Sequence, residues 1–422
     1  MLNQSKTITF LASLIVTASV APGLALANFT DDSKASLELR NMYMNRDFRQ
    51  QNAARSKQEE WAQGFIFRLE SGFSDGRVGF GLDAIGELGV KLDSSRDRRG
   101  TGLLPFGAHS LEPEDNYSEL GLTAKLRTSQ STLRLGTLQP SLPLVMYNDS
   151  RLLPSTYSGG LLTSQELEGL TLNLGRISEI NLRDSSSRDD ISYAGLNSSH
   201  LDLLGGSYAL TPQLSLSYYY GELENIYRQH FVGLQHTLPL GERLILRADL
   251  RYFASKDQGD SKHQAVAGIV DDGKIDNRNL NGMLTLTAGA HKIGAAYQRI
   301  SGDGDFPFIG NDPYVVNLVT FNTFTKAEED SWQLRYDYDF AALGIPGLSF
   351  MTRYISGDNA KTATVRDGRE WERDTDLAYS VQSGSLKGLN LRLRNVSFRS
   401  GDGLTTDVNE NRLIIGYSLP LW

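Results

Sequence analysis

The chain has 422 residues, with 42 Lys and Arg against 50 Asp and Glu, a formal net charge of −8 and no cysteine. The missing cysteines exclude disulfides and thiolate metal sites, and the acidic balance argues against nucleic acid as the main partner. Mean hydropathy is −0.32, and no apolar run of about 18 residues follows the N-terminal region, so no transmembrane helix is expected. A β-barrel escapes both measures, because its lipid-facing and lumen-facing residues alternate.

The N-terminus carries Lys6, an apolar run from Ile8 to Val20 and then Ala25-Leu26-Ala27. A basic start, an apolar core and a small-x-small site make the layout of a secretory signal peptide. The run is short and contains Thr17 and Ser19, which disfavours an anchor. Cleavage is expected after Ala27, leaving residues 28–422 as a single domain with no linker.

Alternating segments then recur to the C-terminus. Ala35, Leu37 and Leu39 alternate with Ser36, Glu38 and Arg40. Trp332, Leu334, Tyr336, Tyr338 and Phe340 alternate with Gln333, Arg335, Asp337 and Asp339. Leu377, Tyr379 and Val381 behave likewise, as do Leu413, Ile415, Tyr417, Leu419 and Leu421. Short connections rich in Gly, Pro, Asp and Asn-like residues fall at 74–76, 211–213, 239–241, 344–347 and 384–388. Long polar connections lie between them, at 47–59, 93–116, 140–161, 256–277, 302–330 and 357–372. Short turns on one side and long loops on the other are the pattern of an all-β transmembrane antiparallel barrel, periplasmic turns below and extracellular loops above. Chaining the segments gives about 18 strands, with 162–180 readable as one strand or as a hairpin bent at Gly169. A barrel of this size holds a channel rather than a side-chain core. The chain stops on an amphipathic strand with a terminal aromatic, Trp422. Bacterial outer-membrane barrels resemble this, and their insertion machinery reads such an end.

Leu389, Leu391 and Leu393 share one strand face and Arg392 and Arg394 the other. Leucines toward lipid would put the arginines in a watery lumen, about 7 Å apart. A symmetric hairpin with the next strand sets Arg412 beside Val396, one rung above Arg394. Three like charges would then climb one wall, and a passing carboxylate would compensate each through the planar guanidinium fork. The 139–170 connection carries Asn148 to Pro154 and an apolar stretch, Leu142 to Met146, that a loop in water would not need, so folding into the barrel is expected to bury it. Two other classes compete. A barrel enzyme needs a His paired with Ser or Asp, but His109, His200, His230, His236, His263 and His291 are scattered singly. A plugged structural barrel would pair its inward charges in a network. No cofactor and no metal are expected.

The chain resembles the OprD-like family, the outer-membrane carboxylate channels of pseudomonads. The matching segments are Leu39-Arg40-Asn41 through Asn45-Arg46-Asp47-Phe48, Trp61 to Phe65, Val78 to Asp83, Asn148 to Pro154, Glu222-Leu223-Glu224 through Gln229, parts of Lys326 to Ala341, Gly344 to Leu348, and Glu410 through Ile414. The resemblance implies a monomeric 18-stranded porin in the bacterial outer membrane, amid lipid and lipopolysaccharide, for passive uptake of small carboxylate-bearing solutes. Its basic ladder carries over to Arg392, Arg394 and Arg412, its constriction-loop arginine to Arg151 and its wall arginine to Arg183, with Arg40 and Arg46 as further matches. The acidic side of the eyelet falls to Asp184, Asp305 and Asp312. Residues 181–185 and 370–374 look more like the branch that favours cyclic or aromatic acids; a basic-amino-acid-selective or general porin is the alternative.

Overall fold

The computed structural model describes residues 30–49, 53, 55–259, 275–401 and 403–422. The expected signal peptide lies outside the described residues. Eighteen antiparallel strands close into one barrel. They are β1 (Lys34–Phe48), β2 (Lys57–Glu70), β3 (Gly79–Asp93), β4 (Asn116–Thr128), β5 (Ser131–Leu138) and β6 (Thr156–Ser164). Then follow β7 (Leu170–Asn181), β8 (Leu201–Thr211), β9 (Leu214–Leu223), β10 (Tyr227–Gly241), β11 (Leu244–Asp257) and β12 (Asp276–Ala288). The last six are β13 (His291–Asp303), β14 (Asp330–Asp339), β15 (Leu348–Ala360), β16 (Gly368–Ser380), β17 (Asn390–Ser400) and β18 (Val408–Pro420). Each pairs with the next, and β18 returns to β1, from Ser36↔Pro420 to Phe48↔Val408.

The 162–180 segment is a hairpin, β6 to β7, turning at Gly169 with φ +74°. A side chain there would be strained and would also sit 3.1 Å from the Ala209 carbonyl. The 357–372 connection is shorter than expected, because β15 runs on to Ala360 through a bulge and β16 starts at Gly368.

Strand alternation divides the side chains as a membrane requires. Leu120, Leu174, Leu204, Leu334 and Leu393 are all more than half exposed on the outside. So large an apolar surface is stable only against lipid. Inside, the apolar residues do not form one central core. They pack in three clusters where infolded loops meet the wall. Residues 103–104 and 152–153 pack on Met42, Met44 and Ala62 of β1 and β2. Val145 joins Leu138, Ile177 and Leu201. Leu144 joins Phe231, Phe253, Phe306 and Val315. The 142–146 stretch is thus held inside the barrel, as its composition suggests. Met146 also bridges to Gly310, tying it to the 304–329 loop.

Candidate functional site

The site begins with the alternation of β17. Leu391 and Leu393 face outward, and Arg392 and Arg394 point into the lumen. The register with β18 differs from the symmetric-hairpin expectation. Arg412 lies opposite Arg394, and Val396 faces Glu410. The strand starts at Val408, which pairs with Phe398 at the top of the hairpin; both are fully buried, and the Phe398 ring packs on Phe321 of the infolded 304–329 loop at 5.1 Å. That shifts the pairing by one rung.

Most of these arginines are compensated within the protein. Arg394 donates from Nε and Nη2 to the two Asp376 carboxylate oxygens, at 2.7 and 2.6 Å. Arg412 pairs with Glu410, which also accepts from Arg46 Nε at 2.6 Å. Arg40 is held between Glu38 and Asp149. The expectation of three bare like charges on one wall is therefore corrected. These side chains are largely buried by the infolded loops, and a buried guanidinium must be paired. Pairing alone does not make a plug: a cavity of about 400 Å³ remains, lined by Arg40, Arg151, Arg392, Arg394 and Arg412 together with Glu38 and Asp149.

Two arginines of that cavity lack a carboxylate. Arg392 makes no hydrogen bond or ion pair among the described residues. Arg151, in the infolded loop and 6 % exposed, donates from Nε to the Thr101 carbonyl at 3.1 Å and from Nη1 to the Ser150 carbonyl at 2.9 Å. Burial, followed by the nearby charges of Arg412 and Arg183, pulls the Arg151 pKa well below the usual guanidinium value.

Arg183 donates to Ser150 Oγ at 2.6 Å. With Arg151 and Asp184 it converges on Gly102, whose φ is +82° and where a Cβ would lie within 3.8 Å of all three side chains. Burial raises the Asp184 pKa. Asp305 and Asp312 lie elsewhere, inside the 304–329 loop. Asp305 Oδ1 accepts from the Ala327 N–H and Asp312 Oδ1 from the Tyr314 N–H, each at 2.9 Å. Burial pushes Asp305 up to about 6 and Asp312 up to about 7. Neither lines the arginine cavity.

One feature of the site escaped the sequence reading. Glu370, Glu372, Asp374 and Asp376 form a buried acidic column on the inner face of β16. They hold, in order, Lys326 at 2.8 Å, the Phe321 and Asn322 N–H groups, Arg353 Nε at 2.6 Å, and Arg394. The column thereby fastens the 320–326 segment beside the arginine wall. Its i, i+2 spacing was a usable signal.

A closed barrel with an apolar outer belt, and with infolded loops leaving a charged cavity inside, defines an outer-membrane porin: a channel rather than an enzyme. The chain belongs to the OprD family of outer membrane porins, whose model matches residues 27–421. It is 37 % identical to porin-like protein GalP of Pseudomonas putida, covering 99 % of this chain and 100 % of that one. It is 36 % identical to porin D of Pseudomonas aeruginosa, covering 96 % and 95 %. Among solved structures, Pseudomonas aeruginosa OccK9 (OpdG) matches with TM-score 0.89 at 47 % identity, over 93 % of this chain and 100 % of that one. Pseudomonas aeruginosa OpdK, solved with vanillate, matches with TM-score 0.86 at 39 % identity over the same shares. A BenF-like porin from Pseudomonas fluorescens Pf-5 matches with TM-score 0.87 at 39 % identity, again over those shares.

Proposed function

We propose that this porin passes small solutes bearing a carboxylate, cyclic or aromatic acids in particular, and that Arg392 and Arg151 capture them. The observation that carries this reading is the uneven pairing inside one cavity. Arg40, Arg394 and Arg412 already hold carboxylates of the protein, whereas Arg392 and Arg151 hold none. An arriving carboxylate supplies the missing counter-charge to each, through charge-assisted hydrogen bonds. The paired arginines keep Asp376 and Glu410 and add their field to the wall. The net field of the chain is acidic, so selection rests on this local field. The solute class is supported by OpdK, a relative solved with vanillate. Each closed chain encloses its own pore, in keeping with a monomer, and β18 with the Trp422 end that follows it is the segment offered to the insertion machinery. Uptake by liposomes carrying the purified protein tests the reading. Benzoate should enter and benzamide should not; equal entry of the two would refute carboxylate capture.

A further inference from the structure

The lipid-facing surface carries two adjoining features that the channel does not use. The first is a groove of about 670 Å³ on the outside of β5 to β9, lined by Leu133, Gly160, Leu162, Leu174, Leu204 and Tyr220. Gly160 opens it. This residue lies between Leu135 and Arg176 in the strand pairing, and a Cβ there would sit 2.9 Å from the Leu135 side chain. Leu174 and Leu204 lie exposed along the groove. Its rim on the extracellular side is polar, formed by Arg176, Asp202 and Glu222. Those groups are already engaged. Arg176 binds Asp202 through two hydrogen bonds of 2.6 Å, and Glu222 accepts from Tyr220 and Gln258, each at 2.9 Å.

The second feature is a basic row on the next strands, at the same end and also facing outward. It consists of Arg228 on β10, Lys256 on β11, Arg278 on β12 and Arg299 on β13, all exposed. Their neighbours in sequence, Gln229, Ser255, Asn277 and Gln298, are buried on the inner face, which fixes the orientation. Arg228 lies opposite Glu222 on one side and opposite Lys256 on the other. Like charges facing each other across a strand pair are unfavourable without a counter-ion. Lys256 has only Asp276, at 4.0 Å, and Arg299 only Asp330, at 3.7 Å. Arg228 and Arg278 make no hydrogen bond or ion pair among the described residues. Closer to the middle of the belt stand Tyr218, Tyr252, Tyr297 and Trp332, the aromatic girdle that marks the headgroup boundary.

We propose that an outer-leaflet glycolipid carrying phosphate seats here, with one acyl chain in the Gly160 groove and its phosphate on Arg228, Lys256 and Arg278. Charge complementarity selects this occupant. A second copy of the chain would bring its own exposed basic row, and a zwitterionic phospholipid would bring an ammonium beside the phosphate. An apolar seat below exposed cations that hold no carboxylate closer than 4.0 Å among the described residues fits an anionic headgroup above several chains. The groove lies on the outside of the barrel, so its occupant leaves conduction unchanged.

Native mass spectrometry of the delipidated, detergent-solubilised porin titrated with diphosphorylated lipid A tests this. Dephosphorylated lipid A and phosphatidylethanolamine serve as the other arms. The wild type should bind the diphosphorylated form selectively, and R228Q/K256Q/R278Q should weaken it by roughly tenfold or more. Gly160→Leu should weaken both glycolipids alike, since it fills the groove. Heat-modifiable gel mobility verifies folding, and the single change Arg278→Gln replaces the triple variant if that one does not fold. Binding of the dephosphorylated form as tight as the diphosphorylated, or an unchanged affinity in the basic variants, overturns the proposal. So does a dimer that Gly160→Leu dissociates, which would give the groove to a second copy.

Discussion

Arg394 and Arg412 lie directly opposite each other on β17 and β18, yet each is held by a different carboxylate, Asp376 for one and Glu410 for the other. The two guanidiniums are kept side by side in a buried wall because neither is left bare. Arg392, one rung toward the periplasm, has no such partner. The wall therefore combines fixed, compensated charges with one free charge.

Removing Arg392 should separate capture from folding. Arg392→Gln loses no internal bond, so thermal stability should be unchanged while benzoate flux falls severalfold. The double change Arg392→Ala with Arg394→Ala should lower flux further and still fold. Liposome uptake and heat-modifiable gel mobility measure the two effects. Wild-type benzoate uptake in the double variant would sink the ladder.

Glu410 is fully buried and serves both Arg46 and Arg412. Glu410→Ala strands two cations in the wall, which should cost about 3–5 kcal/mol. Urea unfolding in vesicles would report it. Asp376→Asn is the milder counterpart: it frees Arg394 and should strengthen anion preference, read as a shift of reversal potential toward anions.

Shortening residues 140–155 should raise single-channel conductance and loosen selectivity. Leu144 and Val145 are buried against the inner wall, at 5 % and 1 % exposure, so the loop occupies lumen. Conductance equal to that of the wild type would mean that the loop does not narrow the path.

Competition should rank benzoate above arginine, and both above benzamide, which cannot form the charge-assisted fork. Raising salt should weaken the discrimination only in part. Screening over about 8–10 Å acts on exposed charges, while Arg412 and Arg151 are 3 % and 6 % exposed. Uptake of labelled benzoate against each competitor at low and high salt gives the ranking. If arginine competes best, the channel belongs with the basic-amino-acid branch.

The 304–329 loop should seat more firmly at low pH. Burial raises Asp312 to about 7 from its usual 3.8. A carboxyl whose pKa is raised by folding contributes stability that is complete below pH 3.8 and lost as pH climbs to about 7. Conductance noise from loop opening should thus grow between about pH 4 and 7, and Asp312→Asn should reduce the change to the part that Asp305, raised to about 6 in the same loop, contributes. Equal pH dependence in the variant would remove Asp312 as the cause.

The period-2 alternation, the turn residues and the two sizes of connection made the barrel, its strand number and its outward faces legible in sequence. This is because a strand side chain has only two directions to point and lipid accepts only one chemistry. The apolar Leu142 to Met146 stretch announced an infolded loop for the same reason. Three things needed the tertiary structure. The register of β17 on β18 turned on how Val408 and Phe398 pack. The fate of Asp305 and Asp312 depended on the path of a long loop, which no periodicity constrains. The division of the arginines into compensated and free required knowing which carboxylate each one takes: Glu38 and Glu410 stand two residues away on the same strands as Arg40 and Arg412, whereas Asp376 reaches Arg394 from the neighbouring strand and Asp149 reaches Arg40 from the infolded loop. Charge type is written in the chain, but charge pairing is a property of neighbours, and only the closed barrel decides who they are.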